Sequence, residues 1–537
     1  MKPVLAVLAA LALALASATA LAAAPAPQHA ASATHKPRLV VAIIIDQFRF
    51  DYTLRFAPRY TGGLHTLLTE GAVYLDAHQD HYPTVTAVGH ATYLTGSIPA
   101  TSGIVSNEWY SPALGHNLTS VEDSNTQLLG GPDPKATGSS PHNLVVSTLG
   151  DELKIADRNT SRVIGVSLKD RAAILPAGHS ADAAYWVDGT TGAFVSSTWY
   201  QPALPAWVQQ FNASKPAEKY LGQNFTLPGV AKPVTVMPTT PGEPFITALE
   251  ETPMANDLLE QFAEQALTHE DLGHHPGTDL LTVSFSANDH LGHRVGPDDP
   301  AIAEMSVRTD AAIGKLLAAA ERAAGGRQNL VVVLSADHGV GPVPEVNLAR
   351  HMPGGRVDAS AYHHAIEDAL NERFGKAKWV VGTLDSGFYF DQNLIAQKKL
   401  DPADVEAVAA HAAQALPYVE RTYTRTQLLQ RHGAADRIDD YVQRSFFDGR
   451  SPDLTVIFRP YFLFGHSGAT HGSPWDYDTH VPLIFFGGGI RPGHYTERVG
   501  ISDVAPTLAT LLGVEMPSGS VGHTLPEILN PPLRATR

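Results

Sequence analysis

Residues 39–45 read LVVAIII, and Asp46 follows them directly. An uninterrupted apolar run rich in β-branched residues is typical of a strand buried on both faces, as in a parallel sheet covered by helices. Asp46 then lies at the carboxyl end of that strand, which is where the crevice of an open α/β sheet binds its ligands. The stretch therefore predicts an α/β fold with a candidate site that includes Asp46.

The same pattern, an apolar strand followed by Asp and His, recurs twice further along the chain. Residues 279–286 precede a segment with Asp289 and His293, and residues 329–335 precede Asp337 and His338. Between them, residues 299–324 have apolar side chains at helical spacing and end at two glycines, which predicts a strand–helix–strand unit with parallel strands. Carboxylates and imidazoles repeated at strand ends predict a metal-dependent hydrolytic site.

The composition limits which ions and partners are expected. The chain has no Cys and 25 His, so a transition-metal site must use imidazole, carboxylate and hydroxyl ligands, which suit zinc or manganese. A net charge of −16 argues against nucleic acid as a bulk partner, because phosphate backbones are bound by a surplus of Lys and Arg. A small phosphate substrate is still compatible, since bound ions and a few local cations can reverse the field in a pocket.

The first residues have the pattern of an export signal. Lys2 supplies a positive charge, an Ala- and Leu-rich stretch follows, and small residues provide cleavage sites at Ala20-Leu21-Ala22 or Ala22-Ala23-Ala24. We therefore expect a signal peptide over residues 1–24, a Pro-containing linker over 25–37, and a periplasmic or secreted protein without stable membrane insertion. The sequence leaves the cleavage site open.

The remainder, residues 38–537, is predicted to form a single catalytic domain with two large insertions. Residues 106–278 are rich in Gly, Pro, Ser and Thr with broken periodicity, and residues 345–463 mix helical and strand patterns. We expect both insertions to form a cap over the site. An apolar run at 481–486 then returns the chain to the core sheet.

Further ligand candidates follow from spacing. Asp289 and His293 are four positions apart, so both can approach one ion if a helix begins there. Asp337 and His338 are adjacent, and their side chains diverge toward two neighbouring ions or two sides of one ion. His471 lies in a glycine-flanked loop that allows close approach of the backbone, although His480 is an alternative.

The candidate nucleophile is a hydroxyl in the segment Tyr82–His90. After Pro83 the pattern predicts a helix from Thr86, and a hydroxyl at a helix N-terminus faces free N–H groups and the positive end of the helix dipole. The residues alone leave Thr84 and Thr86 open, and Thr86 is also a plausible N-cap. His90 is interpreted as structural, because it lies one turn into the helix.

In this order, these motifs resemble the alkaline phosphatase superfamily, in particular the branch with a Thr nucleophile shared by nucleotide pyrophosphatase/phosphodiesterases and PafA-type phosphatases. The resemblance implies a mostly parallel central sheet flanked by helices, and two zinc ions. It further implies that Thr86 is the nucleophile and that Asn107 binds a phosphoryl oxygen. The implied ligand sets are Asp289, His293 and His471 for one ion and Asp46, Asp337, His338 and the Thr86 oxygen for the other.

The choice of substrate depends on Lys169 and Arg171, which are similar to the Lys-x-Arg element of PafA-type phosphatases. By that resemblance both cations bind the non-transferred oxygens of a phosphate monoester, whose dianion benefits from added charge. The prediction is therefore an alkaline phosphatase that hydrolyses small phosphate monoesters through a phosphothreonine. A diesterase or nucleotide pyrophosphatase with the same metals is the alternative, an exported binding protein is a third, and the oligomeric state is open.

Overall fold

The protein is described by a computed structural model over residues 36–384, 386–430 and 433–530. The expected signal peptide and nearly all of the expected linker lie outside these residues. The described part belongs to one compact unit that begins at Lys36. Within it, no helix is both long and apolar enough to cross a membrane.

The strands are numbered along the chain. They are β1 Leu39–Ile45, β2 Ala72–His78, β3 Glu108–Ser111, β4 His116–Thr119, β5 Glu122–Leu129, β6 Thr137–Ser139, β7 Val163–Ser167, β8 Ala183–Val187, β9 Phe194–Ser197, β10 Asp279–Phe285, β11 Leu330–Ser335, β12 Gly355–Val357, β13 Val380–Leu384, β14 Gly387–Phe390, β15 Val419–Thr424, β16 Leu454–Phe458, β17 Phe462–Phe464, β18 Leu483–Gly487 and β19 Gly493–Gly500. Eleven of them form one sheet in the order β19-β2-β18-β11-β1-β10-β7-β8-β9-β5-β6.

The α-helices are numbered in the same way. They are α1 Tyr52–Arg55, α2 Gly63–Glu70, α3 Thr86–Thr95, α4 Pro99–Ser102, α5 Leu149–Ala156, α6 Asp170–Ala177, α7 Ala206–Ala213, α8 Glu243–Glu250, α9 Pro253–His269, α10 Ala287–Val295, α11 Pro300–Ala324, α12 Pro344–Ala349, α13 Ala359–Phe374, α14 Gln392–Gln397, α15 Pro402–Gln414, α16 Arg425–Gln430, α17 Arg437–Ser445, α18 Asp476–Thr479 and α19 Val504–Leu512.

The middle of the large sheet confirms the predicted α/β class. β1 pairs in parallel with β10 on one side and β11 on the other, and β7 and β8 continue the parallel set beyond β10. All residues of β1, β10 and β11 are buried. Because β1 lies between the two later strands, the ends of all three meet at one edge of the sheet, with Ile45 opposite Phe285 and Ile44 opposite Ser335.

The segment 106–278 differs from the predicted cap. β5 to β9 join the central sheet instead of packing over it, and β7, β8 and β9 are fully buried. The free edge of β10 requires a hydrogen-bonding neighbour, and this segment supplies it. Its Gly- and Pro-rich turns break the periodicity from which the place of these short strands in a sheet could be derived. The central sheet is therefore wider than the sequence indicated.

The segment 345–463 contains a sheet of its own, in the order β13-β14-β16-β15. Its strands and the helices α13 and α15 share an apolar core built around Trp379, Phe388 and Ile366. Tyr82, which lies shortly before α3, packs against part of this segment. This second predicted insertion is thus adjacent to the chain that leads into the candidate nucleophile.

Candidate active site

Three strand ends bring the predicted carboxylates together. Asp46 follows β1, Asp337 lies two residues after β11, and Asp289 lies in the first turn of α10, which begins two residues after β10. All three carboxylates are buried. Since the strands are neighbours and parallel, the positions of these side chains follow from the sheet order.

The first metal group consists of Asp289, His293 and His471, whose candidate ligand atoms all lie within 4.8 Å of one another. Asp289 Oδ1 is 3.2 Å from Nε2 of His293 and 3.6 Å from Nε2 of His471. The Nδ1 atoms of the two histidines instead donate to the backbone carbonyls of Ala469 and Thr84. Such bonds fix the tautomer and leave Nε2 free as a ligand, as is usual for metal-binding histidines.

The second metal group consists of Asp46, Asp337 and His338, again with ligand atoms within 4.8 Å. Among the described residues, Asp46 Oδ1, Asp337 Oδ2 and His338 Nε2 are buried without a hydrogen-bond partner. Burial lowers the pKa of His338 to about 3, and its Nδ1 donates to the carbonyl of Gly339, so Nε2 is an unprotonated lone-pair donor. Buried polar atoms without partners are costly, and a cation at this point would satisfy all three.

Lys169 lies between the two groups. Its Nζ is 2.6 Å from Oδ2 of Asp46 and 2.5 Å from Oδ2 of Asp289. Burial alone would lower the pKa of Lys169, but the two carboxylates more than offset it and the pKa is raised. Burial likewise opposes ionisation of Asp289, yet the Lys169 charge brings its pKa well below the usual range. The site thus contains a permanent positive charge beside both ligand sets.

Thr86 is the first residue of α3 rather than its N-cap, which is Val85. The first turn of α3 lies against the second metal group, because Nδ1 of His90 donates to the Thr86 carbonyl at 2.8 Å and is 3.3 Å from Oδ2 of Asp337. The hydroxyl of Thr84, the other candidate, donates to the carbonyl of Ser473. The geometry therefore favours Thr86 as the available hydroxyl at this helix N-terminus.

The remaining predicted residues lie around the same turn. Asn107 Oδ1 accepts a 2.8 Å hydrogen bond from the backbone N–H of Ala87, which orients the amide N–H groups away from that contact. Arg171 lies in the first turn of α6, and Lys169 is the N-cap of the same helix. Its Nε is buried without a hydrogen-bond partner among the described residues, so Arg171 has donor capacity to spare.

His480, the alternative to His471, belongs to neither group. It stacks on His78 with ring centroids 4.6 Å apart, and its Nε2 donates to the carbonyl of Leu75. His78 and Asp76 complete a third cluster of possible ligands, but they hydrogen-bond to each other at 2.7 Å, and Arg498 lies 3.4 Å from Asp76. Parallel rings cannot both direct in-plane lone pairs at one ion, so this cluster is better explained as a hydrogen-bonded network.

Two contributions to the site were absent from the sequence analysis. Gln47, immediately after Asp46, donates hydrogen bonds to carboxylates of both groups. The backbone carbonyls of Thr84 and Ala469 orient the histidines of the first metal group. A backbone carbonyl cannot be recognised from the residue type, because every residue has one. Gln47 could have been recognised, because it lies at a strand end next to Asp46.

Comparison with known proteins places this geometry in a family. The profile of the type I phosphodiesterase / nucleotide pyrophosphatase family matches residues 40–481. Alkaline phosphatase PafA of Elizabethkingia meningoseptica is 33% identical over 93% of this chain and 95% of its own length. A Myroides odoratus protein named calcium-transporting ATPase is also 33% identical, over 93% of this chain and 96% of its own. The 1.7 Å crystal structure of wild-type PafA superposes with a TM-score of 0.85 at 31% identity, covering 92% of this chain and 99% of that one.

Proposed function

The chain belongs to the type I phosphodiesterase / nucleotide pyrophosphatase family, within the PafA-type branch of the alkaline phosphatase superfamily, and we propose that it hydrolyses phosphate monoesters through a phosphothreonine at a two-zinc site. It is a metal-dependent phosphate monoester hydrolase. The observation that carries the proposal is the second metal group, in which three buried ligand atoms have no hydrogen-bond partner in the described part of the chain and lie beside the first turn of α3.

Zinc fits the donors of both groups. The first metal group offers one carboxylate and two imidazoles, and the second offers two carboxylates and one imidazole. The Thr86 oxygen is the further ligand that the family resemblance implies for the second group. Nitrogen and oxygen donors of this kind suit Zn²⁺ rather than Mg²⁺ or Ca²⁺. The bound ions would supply Lewis-acid charge that lowers the pKa of a hydroxyl or water and stabilises the departing oxygen.

Thr86 performs the first chemical step in this proposal. Its Oγ1 gives its proton to a solvent water and attacks phosphorus, a Thr–O–P bond forms, and the bond to the leaving oxygen breaks with its electron pair. The leaving alkoxide takes a proton from water. A water molecule then attacks phosphorus and gives up a proton, and the Thr–O–P bond breaks with its electron pair. The Thr86 oxygen takes up a proton, so inorganic phosphate is released with the Thr86 hydroxyl restored.

Lys169, Arg171 and Asn107 bind the phosphoryl oxygens that are not transferred. Lys169 contacts one carboxylate of each metal group, so a phosphoryl group held by both groups would lie within reach of its ammonium. Arg171 contributes a buried Nε that has no partner within the residues the structure describes, and Asn107 contributes amide N–H groups. Added cations favour a dianionic monoester over a monoanionic diester. The terminal phosphate of ATP has the same three oxygens, so an ATPase activity would use the same residues.

The experiment compares the kcat/KM for an aryl phosphate monoester with that for a bis-aryl phosphate diester. In the wild type we expect the monoester to be strongly preferred. The double variant Lys169→Ala/Arg171→Ala should lose most of this preference, since each charged hydrogen bond contributes about 1.5–3 kcal/mol. Lys315→Ala, which removes an exposed cation on α11, is the matched control. A monoester preference that is unchanged in the double variant would contradict the role of Lys169 and Arg171, and a wild-type preference for the diester would favour the diesterase alternative.

We also propose that the protein is exported, on the basis of the signal-peptide pattern in residues 1–24. The test is fractionation of expressing cells, followed by mass determination of the mature N-terminus. We expect activity in the exported fraction and a chain that begins near Ala23 or Pro25. Full-length protein retained in the cytoplasm would contradict the proposal.

A further inference from the structure

Gln47 is bonded to a carboxylate of each metal group. Its backbone N–H donates to Asp337 Oδ1 at 3.1 Å, and its side-chain Nε2 donates to Asp289 Oδ1 at 2.7 Å. Gln47 is itself buried, with 1% of its surface exposed. Asp289 Oδ1 is also the oxygen that faces both histidines of the first metal group. The amide of Gln47 therefore contacts the carboxylate oxygen that is best placed to bind an ion.

The backbone of Gln47 is held in an unfavourable conformation. Its φ is +59°, a region that residues other than Gly seldom occupy and that costs free energy unless the surroundings impose it. Asn288, in the first turn of α10, imposes it by donating from Nδ2 to the carbonyls of Gln47 at 2.8 Å and Asp46 at 3.1 Å. This conformation directs the backbone N–H toward Asp337 and the side chain toward Asp289.

Gly292 fixes the side chain of Gln47 against α10. A Cβ built at Gly292 would lie 1.8 Å from Oε1 of Gln47, so no larger residue fits unless the glutamine moves. Gly292 thus provides the space through which Gln47 reaches Asp289, three residues earlier on the same helix. The close contact with Gln47 explains why glycine is needed at position 292, between Asp289 and His293.

We propose that Gln47 is a positioning residue that orients Asp289 and Asp337 for their respective ions, and that its side-chain amide specifically strengthens ion binding by Asp289, His293 and His471. The inference rests on the proposed two-metal function and deepens it. Because the backbone N–H survives substitution, loss of the side chain should weaken the first metal group and spare the second. Removal of a hydrogen bond to a ligand typically costs 10–100-fold in metal affinity.

The test uses Gln47→Met, which keeps an unbranched side chain of similar length but has no donor. Gly292→Ala is an independent variant that retains Gln47 and displaces its side chain. Gln210→Met, at an exposed position on α7, is the control. Each protein is loaded with Co²⁺, and ion loss is followed by visible absorption across a chelator titration. Reference spectra come from His471→Ala for the second metal group and His338→Ala for the first.

In Gln47→Met and Gly292→Ala we expect the first group's ion to dissociate at about 10- to 100-fold lower chelator concentration, while the second group's ion is unaffected. The control should match the wild type. Unchanged midpoints, or equal shifts for both ions, would overturn the role of Gln47 while leaving the two-metal proposal intact. A wild-type protein that takes up no ion would instead overturn the proposed function itself.

Discussion

The imidazole Nδ1 of His471 donates a 2.8 Å hydrogen bond to the backbone carbonyl of Thr84, two residues before Thr86. The bond joins the loop that carries a ligand of the first metal group to the segment that begins α3. On the other side, His90 links the same first turn to Asp337 of the second metal group. The segment that begins with the candidate nucleophile is therefore hydrogen-bonded to a ligand of the first metal group and lies against a ligand of the second through the His90–Asp337 contact.

Substitution of Thr86 should separate nucleophilic catalysis from binding. We expect Thr86→Ala to lower kcat for a phosphate monoester by roughly 10³-fold or more, since a covalent pathway without its nucleophile is lost. Thr86→Ser should retain partial activity because a hydroxyl remains. The measurement is steady-state turnover, with mass spectrometry of acid-quenched enzyme to detect phosphate on the peptide that contains residue 86.

Thr84→Val is the matched control for that experiment. It removes a hydroxyl that donates to Ser473 but keeps the carbonyl that accepts from His471. This variant should still form the phosphoenzyme, with a moderate loss of activity. Phosphate that disappears in Thr84→Val and persists in Thr86→Ala would assign the nucleophile to Thr84 instead.

Removal of the ions should abolish hydrolysis and lower thermal stability. Without cations, the buried carboxylates of the second metal group lie close to one another, and burial together with Asp46 raises the pKa of Asp337 well above its usual value. We expect a strong chelator to eliminate activity and to lower Tm. Zn²⁺ should restore both, whereas Mg²⁺ should not, because imidazole nitrogen favours zinc. Full activity in chelator, or restoration by Mg²⁺ alone, would contradict the assigned ligand chemistry.

The sequence was most informative where burial is complete. The apolar runs of β1, β10 and β11 predicted parallel strands because only a strand covered on both faces tolerates such composition. The polar residues after each strand then follow by geometry. His471 was identified by resemblance and its glycine flanks, since a loop has no periodicity from which its contacts can be derived.

The sequence was least informative about edge strands and about the partners of charged groups. β5 and β6 have exposed and buried positions in irregular order, so nothing in the pattern indicated that they extend the central sheet. Lys169 was expected to face phosphate, and the structure shows it in contact with two carboxylates that come from distant segments. Such pairings depend on strand order, which local sequence does not encode.

Gly89 is predicted to be essential for the position of α3. A Cβ at this residue would lie 2.3 Å from the carbonyl oxygen of Asp337 and 2.6 Å from its Cα. Gly89→Ala should displace the helix from the second metal group and reduce kcat/KM by about 10²-fold, the effect expected of a displacement near 1 Å. Gly189→Ala is the control, because a Cβ there meets no atom of the described residues within 4 Å. Wild-type activity in Gly89→Ala would show that α3 does not need this close contact.

Glu260 on α9 gives a prediction for the pH dependence of stability. The side chain is buried, its Oε1 has no hydrogen-bond partner among the described residues, and the nearest cation, Lys315 Nζ, is 3.9 Å from Oε2. Burial and the neighbouring Glu264 raise the pKa of Glu260 from 4.5 to about 7. Between pH 4.5 and about 7, Glu260 is protonated more often in the folded protein than in the unfolded chain. The stability that comes from its protonated form is therefore lost as the pH rises through this window.

Glu260→Gln should remove the free-energy cost of burying an ionised carboxylate at this position. We expect the variant to match the wild type near pH 5 and to be more stable by on the order of 1–2 kcal/mol near pH 8, after allowance for solvent screening. Urea unfolding at the two pH values, with the ions present throughout, gives the difference. Glu372→Gln, an exposed substitution on α13, should show no such change. An equal gain at both pH values would mean that Glu260 acts through packing and not through its ionisation.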